Sequence, residues 1–513
     1  VSIVAVSGSR IISQGLTVVL GILSAAYFGA GLEKDAYVVA QTIPNLLSAT
    51  LIGGLYSMLI VRLAEVYEGG SGQRRMVLRA LGQAALVLLP LVALTAAVPQ
   101  IFLRLVAPGF GAEQVALSGH LLVIAMFTAG ATVSFHVIRA LHNAHHEFIL
   151  PGLATVLGGV LCLVTLMALV GRLGIYALAL GPLVGTALGA AALWLATRRY
   201  VALAPSAPAD TTMAPPQAAS VWRGFFSMSI GSNFGQVNLL VDNAFASFLP
   251  VGSITRLGFA SVITSNAELI TIFSLAEVAL PRFTAATRRG LAAFNGELRA
   301  QMRYMLLVTA PIATGCLTFG EPIVRLLFER GAFGADSTPL VARTLACFAP
   351  EILFMGYFAV FWRALVALGR TRAILWTSIG AMALNALLDA VLMGPLGTAG
   401  IALATSGVTT AFALLLGFLL RRRGCIVLPG SELPFIFKVA GSALVMGIGV
   451  HGWRLLVEGT LDITLESARM LEVAGGLAVA AGIYATCLHL LRVAELADLL
   501  GRLTRLVPGR GRA

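Results

Sequence analysis

Between short polar breaks the chain returns repeatedly to stretches of roughly twenty mainly apolar residues, the length an α-helix needs to cross a ~30 Å hydrocarbon core. These stretches lie near residues 7–28, 36–61, 76–99, 118–138, 150–170, 174–196, 224–249, 257–280, 304–320, 341–362, 373–394, 399–420, 434–453 and 470–491. Fourteen crossings in 513 residues leave no space for a sizeable soluble domain. The composition agrees: 58% of residues are hydrophobic, 11% are charged and the mean hydropathy is +0.91, far from the balance of a soluble globular chain. The expected fold is an all-α polytopic membrane protein of about 14 transmembrane helices, because in lipid only a helix or a closed barrel satisfies its own backbone.

The first stretch contains Arg10 and Gln14 and has no short apolar core followed by a small-residue cleavage site, so it reads as a retained helix. The five cysteines are scattered, with no C-x-x-C pair, and read as apolar packing residues. The net charge of +12 follows the positive-inside rule. With the N-terminus in the cytoplasm, 26 of the 35 Lys and Arg residues fall on the cytoplasmic side. Both termini are therefore expected there, in a bacterial inner membrane. A nucleic-acid partner is excluded by the lack of a soluble basic face. ATP is excluded by the absence of a G-x-x-x-x-G-K-[ST] loop.

The chain also repeats itself. Tyr27-Phe-Gly-Ala-Gly31 matches Phe248-Leu-Pro-Val-Gly252 at an offset of 221, and Gly109-Phe-Gly-Ala-Glu113 matches Ala332-Phe-Gly-Ala-Asp336 at 223. Arg139-Ala-Leu141 matches Arg363-Ala-Leu365 at 224, and Gly174-Ile175 matches Gly400-Ile401 at 226. An even number of spans separates the copies, which predicts two parallel six-helix lobes, the arrangement suited to alternating access. The expected division is an N-lobe over 1–199, a Pro- and Ala-rich linker over 200–221, a C-lobe over 222–423, and a terminal helix pair with a basic tail over 424–513. Gly181, Gly185 and Gly189 form a small-residue stripe expected to serve close helix packing.

A set of motifs carries a family resemblance: Phe28-Gly-Ala-Gly31 with Asp35-Ala-Tyr37, Ile43-Pro-Asn-Leu-Leu47, Ala107-Pro-Gly-Phe110, Phe245-Ala-Ser-Phe248, Phe328-Glu-Arg-Gly-Ala-Phe333, Ala367-Leu-Gly-Arg-Thr371 and Gly394-Pro-Leu-Gly-Thr-Ala-Gly400. In this order, from about Ser13 to Arg423, they resemble the MurJ/MviN family of lipid II flippases, of the multidrug/oligosaccharidyl-lipid/polysaccharide exporter superfamily. The resemblance implies two six-helix lobes around a cavity, a terminal helix pair forming a groove for a lipid tail, and cavity arginines that hold a diphosphate. The positions matching those arginines are Gln14, Leu20, Ser48 and Val262, none of them basic.

Ionisable and polar groups inside spans are the candidate site residues, since burying them in lipid is costly. Arg10 shares a helix face with Gln14; it either supplies a displaced phosphate contact or snorkels to the interface. Asp35 is a gate or counter-charge near the external mouth, or an interfacial residue beside Lys34. Asn45, from the Ile-Pro-Asn motif, is a further cavity candidate. Ser229, Asn233 and Gln236 are spaced as one face of a helix that ends in Asp242 and Asn243, expected to line a cavity. Asp242, Glu268 and Asp389, with Glu277 and Asn385 as weaker candidates, are expected either to couple transport to H⁺, Na⁺ or the membrane potential or to join helices by hydrogen bonds. His142, His145 and His146 have metal-like spacing but read as a solvated interfacial cluster, and no cofactor is expected.

The function these features predict is an alternating-access flippase, not an enzyme, that moves a polyprenyl-diphosphate-linked saccharide from the cytoplasmic to the periplasmic leaflet. The saccharide would be a lipid II-like peptidoglycan precursor or an exopolysaccharide repeat unit. Membrane lipids and cell-wall or polysaccharide synthesis enzymes are the expected partners. A cation-coupled exporter of small molecules on the same superfamily fold and a non-transporting cell-wall scaffold are the alternatives. A glycosyltransferase would need paired acid/base groups on a large external loop, and the loops are short.

Overall fold

The structure is a computed structural model that describes residues 2–65, 70–197, 234–277, 279–425 and 430–495. Its elements are α1 (Ser2–Phe28), α2 (Leu32–Glu65), α3 (Gly70–Ala97), the short α4 (Pro99–Val106), α5 (Ala112–Ala144), α6 (Ile149–Leu173), α7 (Ile175–Ala196) and α8 (Phe234–Ala246). There follow α9 (Ser253–Glu268), a π-helical turn (Leu269–Phe273), α10 (Ser274–Glu277), α11 (Ala279–Arg289), α12 (Leu291–Phe328), α13 (Ser337–Ala367), α14 (Thr371–Leu396), α15 (Thr398–Arg421), α16 (Leu433–Thr460) and α17 (Glu466–Leu490). The chain is all-helical among the described residues.

Twelve helices among the described residues are long and apolar enough to cross a membrane. The two remaining expected spans fall at α8, whose preceding residues 224–233 lie outside the described set, and at α9 with its π turn. There Ser261, Thr264, Ser265, Asn266 and Glu268 dilute the apolar character of the helix. Large apolar side chains such as Leu86, Trp376, Phe437 and Leu490 stand exposed on the membrane-crossing helices. Water would not tolerate so many; lipid does. The protein is a multi-pass membrane protein.

Contacts group the chain into two compact units. The first holds residues 1–255 with 331–333, and the second holds 256–330 with 334–513. In the first, α5 packs on α2, α3 and α7, and α6 packs on α7 and α1. The α6–α7 contact is set by the glycine stripe: a Cβ on Gly181 would lie 2.9 Å from the Cys162 carbonyl oxygen, and one on Gly185 would run into the Gly158 carbonyl. In the second unit α13 packs on α12 and α15, and α15 packs on α14, so α13, α14 and α15 repeat the arrangement of α5, α6 and α7. The turn between the last two helices shifts the repeat register at this point. Gly174 (φ 53°, ψ −131°) opens α7 and Gly397 (φ 62°, ψ −135°) opens α15, an offset of 397 − 174 = 223. The match of Gly174 to Gly400 therefore lies one helical turn too far along.

The terminal pair, α16 and α17, is fastened to α12. Phe435, Val439 and Ala443 pack on Leu306, Leu307 and Ala310, and Met446, Val450 and Val473 pack on Phe319. Ion pairs bracket this apolar contact along α12. On its N-terminal side, one turn before Leu306, Arg303 donates to Glu432 (Nε–Oε2 2.5 Å) and to Glu495 (Nη1–Oε1 2.5 Å). Near its end, Arg325 meets Glu458 at 3.2 Å and Glu472 at 3.5 Å.

Candidate functional site

Asp35 sits in the first turn of α2 and is buried, 2% exposed. Its Oδ2 accepts from the Gly252 amide at 2.6 Å, and its Oδ1 accepts from the Thr255 amide at 2.8 Å and the Thr255 hydroxyl at 2.7 Å. Gly252 and Thr255 bracket the N-terminus of α9, where helical amides have no intrahelical acceptor and the dipole is positive. A carboxylate from another helix thus caps α9, with three charge-assisted bonds. Lys34 does not pair with it; its Nζ lies 4.7 Å over the Tyr37 ring. Two turns along the same face of α2, Thr42 accepts from Asn243 Nδ2 at 3.0 Å, both side chains being buried. Asp242, beside Asn243 on α8, is also buried.

Above this polar seam the two copies of the repeat exchange partners. The Gly109 amide donates to Ser247 Oγ at 3.0 Å, and the Ala332 amide donates to the Ala26 carbonyl at 2.8 Å. Gly109 and Ala332 are equivalent (332 − 109 = 223), and so are Ala26 and Ser247 (247 − 26 = 221). Each copy therefore presses its loop onto the other's helix end. The approach is at backbone distance: a Cβ on Gly109 would meet the Ser247 carbonyl carbon at 2.6 Å, and one on Gly331 (φ +58°) would run into the Ala26 carbonyl. Backbone has no flexible end to move aside. Gly109→Val and Gly331→Val are accordingly expected to force these segments apart and to cost the fold about 1–3 kcal/mol each. Thermal unfolding midpoints in detergent equal to that of the unsubstituted chain for both variants would show that the contact carries no such constraint.

The first unit also holds a cavity of about 300 Å³ lined by α1, α5, α6 and α7, at the small end of ligand-site volumes (~300–1,000 Å³). Its polar lining consists of Ser13 and Thr17 on α1, Thr132 and His136 on α5, Thr155 on α6 and Thr186 on α7. On α1, Ser13 and Thr17 line the cavity, while Gln14 is half-buried beside them and Arg10 is exposed. Asn45 is exposed on α2 and Gln236 is half-buried on α8. Ser229 and Asn233 lie outside the described residues, as does the side chain of Glu277.

In the second unit Asp389 and Asn385 are fully buried on α14 and bonded to each other, Asn385 Nδ2 donating to Asp389 Oδ2 at 3.0 Å. Glu268, at the end of α9, is buried, and its Oε1 makes no hydrogen bond. The histidine cluster departs from expectation. His142 is completely buried, with Nδ1 3.4 Å from Glu147 Oε2 and Nε2 3.2 Å from the Leu193 carbonyl, and His145 Nε2 meets Gln73 Oε1 at 2.9 Å. Only His146 is exposed. The cluster is therefore a structural tie at the α5–α6 turn rather than a solvated one, and burial together with the neighbouring His142 holds His145 below the usual imidazole range. Among the described residues no group of His, Cys, Asp and Glu is placed to hold a metal.

The sequence profile described as "Lipid II flippase MurJ" matches residues 24–469, well over half of the chain. The chain belongs to the MurJ lipid II flippase family. Among curated members it is 24% identical over 487 residues to a probable lipid II flippase MurJ of Thermotoga maritima, covering 94% of each chain. It is 27% identical over 486 residues to that of Rhizobium meliloti, covering 90% of this chain and 88% of the relative. A solved lipid II flippase MurJ in an inward closed conformation superposes with a TM-score of 0.77 at 21% identity, over 95% of this chain and 99% of the other. An inward-facing multidrug resistance MATE transporter of the MOP superfamily superposes with a TM-score of 0.63 at 14% identity, over 82% of this chain. The fold is that of the superfamily. As a member of the MurJ family, the chain is a transporter and not an enzyme.

The sequence singles out Asp35, Asp242 and Asn243 but not Thr42 on α2, nor Ser247, Gly252 and Thr255, which the fold sets against Gly109 and Asp35. Two of them stand inside motifs the sequence displays: Ser247 in Phe245-Ala-Ser-Phe248, 221 residues after Ala26, and Gly252 at the end of the repeat match Phe248-Leu-Pro-Val-Gly252.

Proposed function

We propose that this chain is an inner-membrane flippase that carries a polyprenyl-diphosphate-linked saccharide, lipid II or a glycan repeat unit of the same chemistry, from the cytoplasmic to the periplasmic leaflet. Both termini lie in the cytoplasm in this reading. The observation that carries it is the family match across residues 24–469. A feature of the fold supports it over a small-molecule exporter: the MurJ structure superposes on 95% of the chain and the MATE transporter on 82%. The substrate's polar head needs a protein interior while its tail stays in lipid, and the fastened α16–α17 pair adds surface for such a tail.

Asp35 acts as the external latch. Its cap on α9 and the exchanged Gly109–Ser247 and Ala332–Ala26 contacts close that end, and their release opens it. Asp242, Glu268 and Asp389 are the carboxylates proposed to couple movement to H⁺, Na⁺ or the membrane potential. A charge moved across the field is worth ~2.3 kcal/mol per 100 mV. Asp389→Asn is therefore expected to flip substrate at a rate that no longer responds to an imposed potential or Na⁺ gradient; an undiminished response removes Asp389 from the coupling path.

The experiment for the function itself is reconstitution in liposomes with fluorescent lipid II and, separately, a fluorescent exopolysaccharide repeat unit, scored by protection from an external quencher. Movement of either assigns the substrate class. Movement of neither overturns the flippase reading.

A further inference from the structure

The two copies of the repeat differ in length at one place. Arg104 matches Arg325 at an offset of 325 − 104 = 221, and Gly109 matches Ala332 at 332 − 109 = 223. The second copy is therefore two residues longer in between. Leu105, Val106, Ala107 and Pro108 fill this stretch in the first copy, whereas the second has Leu326 to Gly331, with Glu329 and Arg330 among them. Charges found in one copy alone call for a partner that only this copy meets.

For Glu329 that partner is Arg469, at the start of α17. Its Nη2 donates to Glu329 Oε1 at 2.9 Å, its Nη1 to the Glu329 carbonyl at 3.0 Å, and its Nε to the Ile463 carbonyl at 2.8 Å. The other carboxylate oxygen, Oε2, accepts from the Thr338 hydroxyl at 2.6 Å, at the start of α13. Glu329 is the residue on which α12 ends, where the last carbonyls have no intrahelical donor and the dipole is negative. A guanidinium that meets both this carbonyl and the carboxylate fixes backbone and side chain together. The Arg469 and Glu329 side chains are 17% and 16% exposed, so water competes little for them. By contrast, Arg330 meets Glu466 at 3.8 Å with both side chains exposed.

Two residues beyond Glu329 the chain is held again. Gly331 stands at φ +58°, where a Cβ would run into the Ala26 carbonyl, and the Ala332 amide donates to that carbonyl at 2.8 Å. Two residues of chain span at most about 7 Å. A connection this short passes a shift of Glu329 on to Ala332. Glu329 and Arg469 belong to the second unit and residues 331–333 to the first, so the chain itself is the link.

We propose that Arg469 is a positioning residue for the external end: by holding Glu329 it keeps Gly331 and Ala332 seated on Ala26, and through it the terminal helix pair sets when that end opens. The consequence for transport rests on the flippase reading; the tie itself is read without substrate.

The test is the reactivity of a cysteine placed at Ala26, half-buried near the end of α1, toward an external membrane-impermeant thiol reagent in liposomes, with the chain lacking that cysteine as background. Arg469→Gln is expected to raise the labelling rate about tenfold, the effect of losing charge-assisted bonds, and to slow flipping of a fluorescent lipid-linked substrate. Arg469→Lys puts one ammonium in place of a fork and is expected to recover part of both. Glu329→Gln should act like Arg469→Gln, and the two together should change labelling by less than the product of the single effects. Glu466→Gln, which removes only the exposed pair with Arg330, should change neither readout. Wild-type labelling of the Arg469→Gln chain, even with a lowered unfolding midpoint in detergent, overturns the proposal and leaves Arg469 a plain helix cap. Equally fast labelling in Glu466→Gln overturns it as an effect of charge loss anywhere in that turn. Arg469-dependent labelling in a chain that flips nothing keeps the tie and removes the flippase reading. Should Arg469→Gln fail to fold, Thr338→Val takes one bond from Glu329 at nearly constant volume; a rise in labelling of about threefold or more is expected, and no rise overturns the proposal.

Discussion

Arg325→Ala is expected to cost the folded chain about 3–5 kcal/mol, the range for removing one partner of a buried ion pair. Arg325 is 10% exposed, and its guanidinium reaches Glu321 at 3.2 Å, Glu458 at 3.2 Å and Glu472 at 3.5 Å. Arg454 shares two of these carboxylates, meeting Glu321 at 2.7 Å and Glu458 at 3.0 Å. Glu472 is the sensitive member, with a completely buried side chain and neither carboxylate oxygen hydrogen-bonded. Without Arg325, three carboxylates face one guanidinium and the most buried of them loses its counter-charge. Since this network joins α12 to α16 and α17, the terminal pair would loosen first. Thermal unfolding in detergent would follow the loss, and Arg325→Ala combined with Glu472→Gln should recover much of it. Coupling between these neighbours above about 0.5 kcal/mol is the expected double-mutant signature; additive effects would mean that Glu472 draws its stability from elsewhere.

The same network marks the boundary of what the sequence discloses. Apolar stretches of helical length and a basic-residue bias announce an all-helical membrane chain, because lipid imposes both on any sequence that crosses it. The repeat was readable too, since Gly109 and Ala332 keep their motif at backbone contacts where few residues fit. Pairing was not readable. Glu472 lies 147 residues after Arg325, and nothing in either stretch says they meet. His142 looked solvated because it lies in a polar segment beside basic residues; the fold turns it under α7 to the Leu193 carbonyl. Asp35 was visible as a charge at a helix start, but its partners at 252 and 255 are set by where α9 begins. The cavity of the first unit left no motif at all, for Ser and Thr in membrane helices routinely bond their own backbone.

Asp35→Asn is expected to lower substrate flipping by about tenfold or more while leaving the chain folded and in the membrane. The carboxylate accepts three bonds from Gly252 and Thr255 and carries the negative charge that the α9 N-terminus favours. An asparagine keeps one acceptor and turns the other into an N–H donor aimed at an amide, so at least one bond becomes a repulsion and the charge is lost. Charge-assisted bonds are worth about 1.5–3 kcal/mol each, which is enough to move a balanced two-state equilibrium by about tenfold to a hundredfold. An alternating-access cycle needs both states populated, so a bias of that size toward the open external end slows turnover without unfolding either state. Asp35→Glu restores the charge on a longer arm and should recover part of the rate. Two measurements separate the latch from a plain structural cap: flipping in liposomes, and the reactivity of a cysteine placed at Thr255 toward an external membrane-impermeant thiol reagent. Slower flipping together with faster labelling of a Thr255→Cys, Asp35→Asn chain, relative to Thr255→Cys alone, is the latch signature. Equal labelling with equal flipping would reduce Asp35 to a residue that merely ends a loop.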